Sequence, residues 1–139
     1  MPEKLDKNRE AQIREHFPNY PFPAHLGIEV EHLEPGRATL ILSYRQENTQ
    51  GMGFIHGGAI TTLCDTSVAA ALFTMIEEDE KILTIELKVN FLAPADSDIR
   101  SLAKILHKGR KTAVGEVDVT NMSGTLIAKA LVTYYVYKD

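Results

Sequence analysis

The chain has 139 residues, 15 Lys and Arg against 19 Asp and Glu, a formal charge of −4, and 44% apolar and 24% charged side chains. This is the size and composition of one ordered globular domain, which excludes two ordinary domains and an intrinsically disordered chain. No global charge draws it to nucleic acid or an anionic membrane, and its one cysteine, Cys64, excludes an intramolecular disulfide and a cysteine-based zinc site and fits a reducing cytoplasm.

The N-terminus alternates charges of both signs and lacks the apolar stretch of a secretory signal. Leu5, Ile13 and Phe17 on that charged background predict a weakly amphipathic helix over residues 1–17, ended by Pro18, Pro21 and Pro23. Residues 1–20 then read as a helical extension of a single domain, 1–139. From Leu26 the period becomes two: Ile28 and Val30 alternate with Glu29 and Glu31. Pro35-Gly36 then turns the chain into a second strand with Leu40, Leu42 and Tyr44 on one face.

The glycine-rich stretch 48–58 predicts a loop leading into a helix over 57–76, where Ile60, Leu63, Cys64, Val68, Ala71, Leu72 and Met75 keep the three-and-four spacing. The other helix positions are mostly Ala, Thr and Ser, so the helix should be wrapped on most sides. Asp65 and the hydroxyl residues interrupt its apolar run, which argues against a membrane span. The acidic run Glu77 to Glu80 is unfavourable at a helix C-terminus and should close it.

Four strand-like segments follow. In 84–91, Ile85, Leu87, Val89 and Phe91 face one way and Thr84, Glu86, Lys88 and Asn90 the other; 99–107, 113–120 and the stretch from Leu126 to Val136 complete the set, joined by short turns. Two strands, one long apolar helix and four more strands predict an α+β domain with an antiparallel sheet around one central helix.

Between Glu47 and Glu77 the one carboxylate is Asp65, and no cation lies at helical spacing from it. An unpaired carboxylate on a wrapped helix costs on the order of several kcal/mol unless a cleft solvates it or other groups bond to it. It is therefore either a structural Asp held by Thr hydroxyls or a partner chain, or a group kept for chemistry. His56-Gly57-Gly58 stands where loop becomes helix, where free N–H groups and the helix dipole suit a developing oxyanion, although two glycines also serve a tight turn. Cys64 reads as core packing. His107, Lys108, Arg110 and Lys111 form the densest cationic patch, either a solvated turn or a seat for phosphates.

The segments GMGFIHGGAITTLCDTSVAAAL and TIELKVNFLAPA resemble the hotdog-fold acyl-CoA thioesterases of the phenylacetate-pathway and 4-hydroxybenzoyl-CoA type, over roughly residues 25–137. The most specific part is His-Gly-Gly with an acid eight residues after the first glycine. The resemblance implies hydrolysis of aryl or fatty acyl-CoA. It makes Asp65 general base or nucleophile, Gly57 N–H the donor to the thioester carbonyl, and Gln50 a group that holds the carbonyl or the water. It gives Thr84 an assisting role and has His56 shape the loop; His56 and Gly58, with Arg110 and Lys111 of the cationic patch, are the expected substrate-binding residues beside Thr84. Ala69 stands where some relatives carry a further hydroxyl. It also implies no metal and no cofactor beyond the coenzyme A of the substrate. The site would be shared between two chains of a homodimer or a dimer-of-dimers tetramer. His16-Phe17-Pro18 resembles a motif of hotdog dehydratases, but there the histidine directly precedes the central helix, and here strand-like alternation follows it. The rival reading from another class is a non-catalytic acyl-CoA binding protein on the same fold.

Overall fold

A computed structural model describes residues 4–139; residues 1–3, the start of the expected N-terminal helix, lie outside the described residues. The elements are α1 (Lys7–His16), a 3-10 turn (Phe17–Asn19), α2 (Pro21–Leu26), β1 (Ile28–Glu34), β2 (Arg37–Leu42) and a 3-10 turn (Gln46–Asn48). After these come α3 (Gly57–Phe73), β3 (Lys81–Phe91), β4 (Ile99–Lys108), β5 (Thr112–Asn121) and β6 (Leu126–Tyr137). The six strands form one antiparallel sheet in the order β1-β2-β4-β5-β6-β3. Leu63, Cys64, Val68, Ala71 and Leu72 of α3 share one core with Leu40, Leu42, Ile99, Val117, Val132 and Val136 of the strands. Among the described residues no helix is long and apolar enough to cross a membrane.

The N-terminal segment differs from the expectation. Helix α1 ends at His16, just before Pro18, as expected; what differs is that helical structure resumes, with Pro18 and Pro21 in the first turns of the 3-10 turn and α2, where their missing N–H and fixed φ fit. Gly27, at φ 76°, closes α2, so β1 begins at Ile28 rather than Leu26. Asp6 caps α1 by accepting from the N–H groups of Asn8 and Arg9. Arg9 then fastens α1 to the far end of α3: its Nε donates to Phe73 O at 2.9 Å and its guanidinium lies 5.8 Å from the Phe73 ring centroid. A cation at a helix C-terminus complements the dipole there.

Strand β2 stops at Leu42, and the exposed Tyr44 leaves the sheet to donate its hydroxyl proton to Gly53 O. Two bulges correct the predicted faces. One between Val30 and His32 lets Leu33 reach the core. The other, between Thr84 and Glu86, leaves Ile85 unpaired and exposed, so Thr84 shares a face with Leu87 and Val89 instead of opposing them. In β6, Leu126 is exposed and Ile127 is buried beside Ala128, because the register with β5 shifts between Val119 and Thr120.

Helix α3 is less wrapped than expected. Gly58, Thr61, Thr62, Asp65, Thr66, Ala69 and Phe73 form a stripe that stays partly open. The sheet covers the opposite side, and the segment after β3 crosses past the helix N-terminus, where Ile55 N–H donates to Ala95 O at 2.8 Å.

Candidate active site

Asp65 lies in the middle of α3 with its carboxylate toward β3 and β6. Thr84 and Tyr134 are direct cross-strand partners, and both hydroxyls donate to the same oxygen, Asp65 Oδ1, at 2.9 and 2.6 Å. The Tyr134 oxygen also lies 2.9 Å from the Asp65 main-chain O. The hydroxyls of Thr61 and Thr62 turn away and bond to Gly57 O and Gly58 O, each at 2.8 Å. Among the described residues no cation pairs with Asp65. Its carboxylate opens on a cleft of about 450 Å³ lined by Phe17, Tyr20, Ala69, Phe73, Ile82 and Leu83.

At the other end of the helix, His56 is the N-cap of α3, and its Nδ1 accepts from Gly58 N–H at 2.7 Å. That bond fixes Nδ1 as an acceptor and consumes the Gly58 donor, so His56 shapes the turn. Gly57 N–H differs: among the described residues no acceptor takes it, as expected for the first residue of a helix. Gln50 Oε1 accepts from the N–H groups of Met52 and Phe54, which leaves its NH2 the free end of the amide. Gln50 and Gly57 line a second cleft of about 410 Å³ with Phe54, Ile60, Phe91 and Leu92.

The two clefts share no lining residue. Gly57 and Asp65 stand eight residues apart on one straight helix, about 12 Å along its axis. Within one chain, therefore, the donor groups and the carboxylate do not meet.

The sequence is similar to known proteins in a consistent way. Residues 52–128 match the family description "Thioesterase superfamily". The 1,4-dihydroxy-2-naphthoyl-CoA hydrolase of Listeria monocytogenes is 28% identical over 114 residues, 81% of this chain and 93% of that protein. Acyl-coenzyme A thioesterase 13 of Homo sapiens is 31% identical over 98 residues, 68% of this chain and 69% of that protein. A solved thioesterase family protein from Silicibacter pomeroyi superposes with a TM-score of 0.88 at 31% identity, covering 94% of this chain and 99% of its own. The chain belongs to the thioesterase superfamily. Its architecture is the hotdog fold, and it is a thioester hydrolase.

In this thioesterase the remaining candidates fall at one end of the sheet. Ala113 pairs with Tyr134 on β6, which itself pairs with Thr84 on β3, so the β4–β5 tip carrying Arg110 and Lys111 lies at the Asp65 end, about 10 Å beyond Ala113 along the strand. Both side chains are exposed, and neither forms an ion pair among the described residues. Cys64 is fully buried, and burial first, with the neighbouring Asp65 charge second, pushes its thiol up to about 12. Such a thiol is a packing group.

Sequence reasoning missed Tyr134 and the aromatic wall of Phe17 and Tyr20. Tyr134 left one signal: it is the one hydroxyl among the buried inward positions Ala128, Ala130, Val132 and Val136. A buried tyrosine hydroxyl needs a partner, and the unpaired acid of α3 supplies it.

Proposed function

We propose that the chain hydrolyses acyl-coenzyme A thioesters, with Asp65 as the reacting carboxylate and Gly57 N–H as the oxyanion donor. The observation that carries this reading is a carboxylate without a cation, anchored by hydroxyls through one oxygen, facing an apolar cleft. Asp65 takes a proton from water as that water attacks the thioester carbon, or attacks the carbon itself to give a mixed anhydride that water then cleaves. In either course the carbonyl oxygen gains charge, which Gly57 N–H and the NH2 of Gln50 meet. The C–S bond breaks, coenzyme A leaves as thiolate, and the acid is released. A preorganised N–H donor contributes about 2.7–4 kcal/mol to such a transition state. The scheme draws on the chain's own groups and changes no oxidation state.

The two clefts become one site in a twofold dimer. Strand β3 supports this: it is an 11-residue sheet edge carrying exposed Leu83 and Ile85, an open template for another strand. A twofold axis beside it makes each contact twice and runs the two α3 helices antiparallel, so Gly57 and Gln50 of one subunit face Asp65 of the other. Phe17, Tyr20, Phe73, Ile82 and Leu83 suit an aryl or alkyl acyl group in the Asp65 cleft. Phe22, exposed and stacked on His25, lies outside both clefts. Arg110 and Lys111 offer charge to the phosphates of coenzyme A.

The test is release of free thiol from aryl, short, medium and long acyl-CoAs by the wild type and by Asp65→Asn. Turnover by the wild type with at least about a hundredfold loss in the variant supports the reading. Binding of acyl-CoA by both without thiol release would instead identify a non-catalytic acyl-CoA binding protein.

A further inference from the structure

Resting on the proposed role of Asp65, the geometry points to Tyr134 as a positioning residue: with Thr84 it occupies Oδ1 of Asp65 and leaves Oδ2 as the oxygen that meets water or the acyl carbon.

The placement is built by three elements. Strand alternation puts Tyr134 on the core face of β6, between buried Val132 and Val136. The bulge at Ile85 turns Thr84 to the same side, directly across the β3–β6 pair. Helix α3 lays Asp65 over both. The result is two donors on one carboxylate oxygen, at 2.6 Å from Tyr134 and 2.9 Å from Thr84, while among the described residues no donor reaches Oδ2. A carboxylate bonded once could swing about its side-chain torsions. Bonded twice through one oxygen, it presents the other in a fixed direction toward the cleft.

Tyr134 keeps its proton here and donates it in the hydrogen bond to Asp65. Burial first, then the Asp65 charge and the hydrogen bond to it, drive its phenol well above the ordinary tyrosine range, so the proton stays on the oxygen. Among the described residues, the other titratable group lining the cleft is Tyr20, from the turn before α2, and Cys64 adjoins Asp65 on α3. No lysine, arginine or histidine lines it, so the Tyr134 and Thr84 hydroxyls are the groups that hold the carboxylate in place. In a hydrolase with a freely hydrated acid, the water itself would have to select one of two equivalent oxygens; here that choice is made before substrate arrives.

The experiment uses Tyr134→Phe in the full chain, which keeps the buried ring and removes the hydroxyl alone. Hydrogen bonds to charged groups are strong enough that its loss should lower kcat by about tenfold to a hundredfold, with KM changed little. Thr84→Ala should lower kcat in the same way, and the double variant should depart from additivity because both donors serve one oxygen. A purely structural Tyr134 would lower the melting temperature and leave kcat of the folded variant in place. Wild-type kcat in folded Tyr134→Phe, alongside an inactive Asp65→Asn, would overturn the inference and leave the role of Asp65 standing. Full activity in Asp65→Asn would remove that role and the inference together.

Discussion

Val68 of α3 and Gly115 of β5 meet so closely that a Cβ on the glycine would stand 2.7 Å from Val68 Cγ1. The same Cβ would lie 3.3 Å from Lys104 O, so the backbone of β4 blocks one escape and the helix the other. This contact sets the height of α3 above the sheet three residues from Asp65. Gly115→Ala should destabilise the fold by about 1–3 kcal/mol, read by urea unfolding, as overpacking of a filled core does. Unchanged stability would mean that α3 is free to lift at that point.

The free donor at Gly57 can be removed without removing the helix. His56 has φ −62° and ψ 138°, the conformation that a following proline requires, and Gly57 is the first helical residue, where proline is well tolerated. Gly57→Pro should therefore lower kcat by about 10²–10³-fold. Gly57→Ala is the control: its Cβ meets the Phe91 ring at 3.3 Å, as the proline ring would, but its N–H remains. Equal losses in the two variants would assign the effect to crowding against Phe91 rather than to the donor.

An aromatic partition bounds the Asp65 cleft. Phe17 lies 5.2 Å from Tyr20 and 5.3 Å from Phe73, ring centre to ring centre. Beyond the three rings runs a groove along α1 lined by Arg9, Gln12 and Ile13. Tyr20 is partly exposed, so Tyr20→Ala opens the partition with little effect on the core. It should raise kcat/KM for long acyl-CoAs relative to aryl and short ones by about tenfold, since pocket length discriminates by that order. An unchanged ratio across the panel would place the acyl end elsewhere.

Cys64 gives a pH dependence with a definite sign. Its thiol is raised from an ordinary 9.0 to about 12 in the folded chain, so over that interval the unfolded chain has lost a proton that the folded chain keeps. The contribution to stability is complete below about pH 9 and is lost as pH rises toward 12. The unfolding free energy of the wild type should fall more steeply above pH 9 than that of Cys64→Ala, by up to about 1.4 kcal/mol per pH unit. Parallel pH curves would show that the thiol titrates alike in both states. The same burial predicts that iodoacetamide leaves Cys64 unmodified until the chain unfolds.

Much of this was legible in the sequence, for physical reasons that particular residues make plain. Helix α3 announced itself through the spacing of Ile60, Leu63, Cys64 and Val68, and the bounds of β4, β5 and β6 through alternation, because both periods are local, whereas β3 begins at Lys81 rather than Thr84. The isolation of Asp65 was equally visible. What stayed hidden depends on partners distant in sequence. The bulge at Ile85 exists through pairing with β6, so alternation alone put Thr84 on the wrong face. The docking of β3 on β6 at the sheet edge, rather than beside β4, follows a crossing that short-range pattern does not encode. Helix α2 was masked by prolines that serve as helix starters here. Tyr134 sat inside an apolar alternation and declared itself only against Asp65.

In the proposed dimer Gly57 and Asp65, about 12 Å apart on one helix, act on the same thioester from different subunits. Purified Asp65→Asn and Gly57→Pro, each nearly inactive, should be mixed after reversible dissociation and assayed for thiol release. A heterodimer has one site with both lesions and one with neither, so random mixing should restore about a quarter of wild-type activity. Heterodimers that form, as shown by mass, yet release no more thiol than the parents would contradict the shared site.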